Sequence, residues 1–140
     1  MLNCYSKVKP DELIFTMIKQ NEISYGRKNL TPDKQFLQAG AKKTKAGEFF
    51  KPHKHLPCNK EVLITQEAWI ILNGKAQGYF YDLNDEYLCS VELESGDCVI
   101  IYSGGHSLKI LEDETILYEF KNGPYQGADK DKEFIGGKDV

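Results

Sequence analysis

An all-β domain, its strands laid out as a double-sheet jelly roll, is the fold class the sequence predicts, and three observations predict it. From Lys34 onward, short apolar runs are broken every eight to twelve residues by turn-forming residues, the spacing of a sandwich or barrel. The runs number eight, which suits two packed sheets. The chain has 140 residues and is 41% apolar, with seven Phe, eight Tyr and one Trp, enough to fill one core and too short for two.

Residues 1–33 read as an irregular N-terminal segment. Within it, Asp11 to Ile18 follows Pro10 and fits either an extended edge strand or a short helix capped by Asp11. Tyr25 to Asp33 is polar, contains Gly26, Asn29 and Pro32, and reads as a connection. Residues 34–121 form the predicted barrel, with strands at Gln35 to Lys42, Glu48 to Lys54, Glu67 to Asn73, Ala76 to Asp82, Tyr87 to Glu92, Asp97 to Tyr102, Ser107 to Leu111 and Thr115 to Lys121. Turn residues separate them at Lys45–Gly47, Asn73–Gly74, Leu83–Asp85, Glu94–Gly96, Ser103–Gly105 and Glu112–Glu114. Asn73–Gly74 predicts a hairpin, because both central residues of a type I′ turn need positive φ. Residues 122–140 are rich in Gly, Lys and Asp and read as a C-terminal surface arm, with Phe134 and Ile135 docked on the barrel or on a second copy. Asn122 to Tyr125 is a turn signal first and a dimer contact second.

Composition narrows the partners. A net charge of −3 gives no basic field for nucleic acid or an anionic membrane, so the expected partner is a small molecule. No apolar run reaches the ~20 residues of a membrane span, and no secretory leader is visible; the expectation is a cytoplasmic protein. Four widely spaced cysteines, Cys4, Cys58, Cys89 and Cys98, read as free thiols rather than a disulfide framework. Cys98 alternates with apolar neighbours and reads as a core residue, Cys58 is a loop cysteine, a soft fourth metal ligand or a redox-sensitive thiol, and Cys4 and Cys89 carry no signal.

The chemistry concentrates between Gly47 and Gly74 and around His106. His53 and His55, two apart in a predicted strand, project from one face. His106, the remaining histidine, follows Gly104–Gly105. Gly47, five residues, His53-Lys54-His55, and then Glu67, six residues and Gly74 resemble the first motif of the cupins. Eleven residues separate His55 from Glu67, more than the motif has. Glu61 lies nearer the motif's distance from His55, whereas Glu67 keeps the distance to the glycine turn and is preferred, since loop enlargement costs little. Gly96, five residues, then Tyr102-Ser-Gly104-Gly105-His106 resembles the second cupin motif in part: Tyr102 replaces its proline, one residue is missing before His106, and its final asparagine is absent. Across Gln35 to Tyr125 the chain is further similar to small bacterial cupins of the WbuC type associated with polysaccharide biosynthesis.

The resemblance implies a double-stranded β-helix, the cupin barrel, holding a divalent metal on His53, His55, Glu67 and His106. Three imidazoles and a carboxylate suit Fe, Mn, Ni or Zn with open positions for substrate. Around that set, Lys51 shares the face of His53 and His55 and is a candidate to orient an anionic substrate, while Lys54 faces away. Tyr79 and Tyr81 share one face and Phe80 the other; the tyrosines are core filling or proton donors. Trp69 shares the face of Glu67 as a pocket wall. Glu119 is either outward, the preferred reading, or a partner of a ligand histidine. Three functions stay open: a metal-dependent enzyme acting on a polar metabolite such as a sugar or nucleotide-sugar intermediate, a non-catalytic metal-containing binding or sensing module, and a metal-free sugar epimerase or isomerase using a histidine base and a tyrosine acid. Exposed edge strands and the apolar tail predict a homodimer.

Overall fold

The structure, a computed structural model, describes residues 1–135. The fold is all-β, but among the described residues the strands form three separate antiparallel sheets rather than the closed barrel the resemblance implies. β1 (Leu2–Tyr5), β2 (Leu13–Ile18), β5 (Glu67–Asn73), β8 (Cys98–Ile101) and β10 (Ile116–Lys121) make one sheet in the order β1-β2-β8-β5-β10. β6 (Lys75–Tyr81), β7 (Tyr87–Glu94) and β9 (Gly105–Ile110) make a second in the order β7-β6-β9. Among the described residues, β3 (Gly26–Asn29) pairs only with β4 (Gly40–Lys43).

The two larger sheets pack face to face. In an antiparallel pair, directly opposed residues share a face, so register defines what each sheet turns inward. One inward row of the five-stranded sheet runs Cys4, Phe15, Ile101, Glu67, Lys121. The row above it in the three-stranded sheet runs Cys89, Phe80, His106. Their centres meet as Phe15 stacked on Phe80, ring centroids 3.9 Å apart, and both rings are wholly buried. Ile71, Ala76, Leu93 and Val99 complete this core. On the other face of the larger sheet, Leu13, Ile18, Ala68, Ile100 and Tyr102 are covered by Leu30, with Ile23, Leu37, Ala39 and Ala41 alongside.

Several sequence expectations change. The stretch from Asp11 to Ile18 is neither an edge strand nor a helix: β2 lies between β1 and β8 with all six residues buried. Uninterrupted burial explains its lack of alternation, since both faces are covered. β1 was not anticipated, and β3 arises inside the presumed connection. The strand expected from Gln35 shortens to Gly40–Lys43 because Gln38 Nε2 donates to the carbonyls of Pro32, Asp33 and Gln35 and holds that stretch as a turn. Glu48 to Lys54 is not a strand, and every residue from Lys42 to Thr65 is exposed. Pro52 and Pro57 lack the N–H a ladder needs, and Glu48 folds back to accept the Lys45 amide at 3.1 Å.

Asn73–Gly74 is a turn but not a hairpin. β5 and β6 belong to different sheets, so the chain passes from one layer to the other through Gly74, at φ 80°. A Cβ there would lie 2.3 Å from Thr115 Oγ1, which leaves room only for glycine. The tail follows its expectation in part: Ile135 reaches the outer side of β9, where a Cβ on Gly105 would lie 2.7 Å from Ile135 Cδ1, while Phe134 is 95% exposed. No helix among the described residues is long and apolar enough to cross a membrane.

Candidate functional site

Where the margins of β9 and β10 face one another, the sandwich opens into a cleft of about 940 Å³. β9 contributes His106 and Leu108, β5 Glu67, and β10 Glu119 and Lys121. Leu63 to Thr65 and the arm from Lys130 to Ile135 border it.

Glu67 occupies the floor. As the first residue of β5 it sits on the inward row with only 8% of its surface exposed. Trp69, two residues on and therefore on the same face, donates its indole N–H to Glu67 Oε1. His106 Nε2 stands 3.7 Å from the same oxygen, within ion-pair range, and its ring meets Trp69 edge to face at 5.3 Å. Lys121 Nζ lies 3.7 Å from Glu67 Oε2, 3.3 Å from Glu119 and 3.2 Å from Asp131. The pair is thus a buried carboxylate with an indole on one oxygen, an ammonium near the other, and an imidazole facing it.

These neighbours set the charges. Burial is the largest single influence on Glu67 and opposes its ionisation, but His106, the Trp69 N–H and Lys121 together outweigh it and hold the carboxyl below its ordinary range. Burial likewise opposes the charge on Lys121, and Asp131, Glu119 and Glu67 reverse the effect and raise its pKa. At neutral pH the site therefore holds a fixed anion and a fixed cation with an imidazole between sheet and solvent, its side chain 31% exposed.

Of the residues singled out in the sequence, Glu67, Trp69 and His106 come together as expected. His53 and His55 do not join them. They lie on the exposed segment between β4 and β5, rings 5.7 Å apart, and His53 Nδ1 engages the Lys51 carbonyl at 2.9 Å. Lys51, Lys54, Cys58 and Glu61 belong to the same exposed segment. Among the described residues no group of three or more His, Cys, Asp and Glu side chains is gathered as a metal centre. By donor chemistry Glu67 and His106 suit a divalent cation, but half of the implied ligand set stands apart.

Tyr79 and Tyr81 share a face, as expected, and it is the face opposite His106: Phe80 takes the interior. The tyrosines border the cleft where it wraps round β9 beneath the arm. Glu119 pairs across from Trp69 and so lies on the inward face at the cleft rim, not outward. Asn122 braces the cleft from outside, accepting the Gln66 amide at 2.6 Å and donating to the Ile64 carbonyl at 3.0 Å. Lys121 and Asp131 were missed. Lys121 had a signal: the predicted strands beginning at Glu67 and ending at Lys121 are equally long, and antiparallel pairing places their ends side by side.

Comparison of the chain with protein-family models, with curated proteins and with solved structures returns no match.

Proposed function

We propose that the protein is a cupin-like protein that binds a polar small molecule, such as a sugar or nucleotide-sugar intermediate, in the β9/β10 cleft and acts on it through the Glu67–His106 pair. The observation that carries this reading is a nearly buried, ionised carboxylate facing an imidazole at the floor of an open cleft. A buried carboxylate in a cleft with a perturbed pKa is a candidate for proton-transfer chemistry. An anionic Glu67 favours the proton on His106 Nε2, which leaves Nδ1 with the lone pair that accepts a proton from substrate. Lys121 supplies a fixed positive charge for a substrate carboxylate or phosphate, and Trp69 supplies an apolar wall. Tyr81, the acid that the metal-free epimerase or isomerase reading would use, lies on the sheet face opposite His106, which does not favour that reading. The sugar assignment rests on the cupin resemblance.

A metal-dependent variant of this reading is supported by the donor chemistry of Glu67 and His106 and by the adjacency of the His53 and His55 rings. A bound divalent cation would supply Lewis-acid polarisation of substrate oxygens. With His53 and His55 away from the cleft, no step is assigned to it.

The test is a thermal-shift screen of the full chain against nucleotide sugars and keto sugars, followed by NMR detection of solvent deuterium exchange into any ligand found. A ligand should raise the melting temperature of the wild type, and His106→Asn and Glu67→Gln should each abolish exchange. Exchange that survives both substitutions would refute the proton-transfer assignment. Elemental analysis of the native protein, alone and as His53→Ala, separates the variants: a stoichiometric metal lost in His53→Ala favours the metal-dependent one.

A further inference from the structure

We infer that Cys4 and Cys89 are an oxidisable thiol pair that cross-links the two sheets. The inference is independent of the proposed function. Cys4 ends the inward row of the larger sheet and Cys89 ends the row facing it, at the seam opposite the cleft. Their sulfurs are 3.7 Å apart, although 85 positions separate them in the chain. A disulfide needs about 2.05 Å between the sulfurs, so the pair at 3.7 Å has to close by roughly 1.6 Å to form one.

Three further features favour this pair over the other thiols. Both side chains are half-buried against the core, which limits the partners either can reach. Cys98 sits on the opposite face of the larger sheet, beside Ile100 and Ile18, and Cys58 lies on the exposed segment. The backbone on each side is already anchored, because Asp82 Oδ2 accepts the Lys7 amide at 2.6 Å and Lys19 Nζ donates to the Glu92 carbonyl at 2.9 Å.

The oxidant class is a low-molecular-weight disulfide, RSSR. Burial and the neighbouring Cys4 push the Cys89 thiol up to about 12; exchange begun at either sulfur leads to the same disulfide, here by way of Cys4 on the edge strand β1. Cys4 Sγ attacks RSSR, forming a Cys4–SR mixed disulfide and releasing one RSH that carries away the Cys4 proton. Cys89 Sγ then attacks the Cys4 sulfur, breaks that S–S bond and releases the second RSH with its own proton. Two protein thiols are oxidised and one RSSR is reduced to two RSH.

The experiment treats the full chain with oxidised glutathione, quenches free thiols by alkylation under denaturing conditions, and maps the peptides. The expected product is a single cross-link joining the Cys4 and Cys89 peptides. It should raise the melting temperature by roughly 10 °C, reversibly with a reducing thiol, because it closes a long loop in the unfolded chain. Cys4→Ser and Cys89→Ser should each abolish both the cross-link and the shift, while Cys98→Ser should retain them. A cross-link through Cys58 or Cys98, a glutathione adduct that never resolves, or a Cys4–Cys89 bond that leaves the melting temperature unchanged would each overturn the inference.

Discussion

The two seams of this sandwich are built from matching positions and filled with opposite chemistry. At the β1/β7 seam the facing rows end in two thiols, and the nearby carboxylates are bound mainly by backbone amides, with the Lys19 side chain as a further partner. Asp82 accepts amides from Lys7, Val8 and Leu83, Ser6 Oγ accepts those of Val8 and Lys9, and Asp97 accepts from Gln20, Glu94 and Lys19. At the β9/β10 seam the same rows end in His106 and in Glu67 and Lys121, whose polar atoms meet one another around a cleft and take no backbone amide. Carboxylates at the first seam brace the fold; the carboxylate at the second has spare valence turned toward a void. A polar group saturated by backbone donors contributes stability, whereas one left half-saturated in a cleft is available to a ligand.

Both seams hang from the Phe15–Phe80 stack between them. Phe80→Ala is therefore the largest expected effect, about 3–5 kcal/mol for a wholly buried ring and the cavity left behind. Urea unfolding should give a lower midpoint, and both the Cys4···Cys89 and the Glu67···His106 approaches should loosen together. A variant that lost less than about 1 kcal/mol would show that the seams do not share this support.

Asp82→Ala probes the braced seam alone. Removing its carboxylate strands up to three amide donors, each unsatisfied donor costing about 1–3 kcal/mol when buried, and the expected total is about 2–4 kcal/mol because Lys7 and Val8 can rehydrate. Ligand binding at the opposite seam should keep its affinity. A loss of binding equal to that of His106→Asn would erase the contrast between the seams.

How much of this contrast was legible in the sequence depended on periodicity. β5 through β10 were readable to within two residues at either end, because Gly74, Asp85, Gly96, Gly104 and Glu114, all at positive φ, punctuate alternating runs that leave little freedom. Glu67, Trp69 and the face shared by Tyr79 and Tyr81 followed from the same alternation. The thiol seam was not legible, since it brings together the first strand of one sheet and the edge of the other, and no local pattern encodes a pairing across 85 positions. Nor was the layer change at Gly74, where an Asn-Gly pair that ordinarily closes a hairpin turns the chain between sheets. The strand expected under the histidine pair did not form for a third reason. His-Lys-His has strand-like alternation, but Pro52, Pro57 and the absence of a ladder partner among the described residues leave it outside the sheets.

The smallest stability effect, and the one that separates the seams most sharply, is Glu67→Gln. The amide keeps an acceptor for the Trp69 N–H and loses only the attraction of Lys121 and His106, so the cost near neutral pH is expected to be about 1 kcal/mol or less. Its signature lies in pH dependence. The Glu67 carboxyl is held below its ordinary value in the native state, so the unfolded chain binds the proton more readily, and stability from this group is fully present above the unfolded pKa of about 4.3. That contribution is lost as pH falls through the lower native value. Denaturation followed from pH 7 downward should show a shallower acid limb in Glu67→Gln than in wild type, by at most about 1.4 kcal/mol per pH unit for one proton. Asp82 is also depressed, by Ser6 and the Leu83, Lys7 and Val8 amides against opposing burial, so Asp82→Asn should flatten the same limb while also lowering stability at neutral pH. An acid limb unchanged in Glu67→Gln would mean that Glu67 titrates as it does in the unfolded chain, and that His106, Trp69 and Lys121 give its anion no net stabilisation over burial.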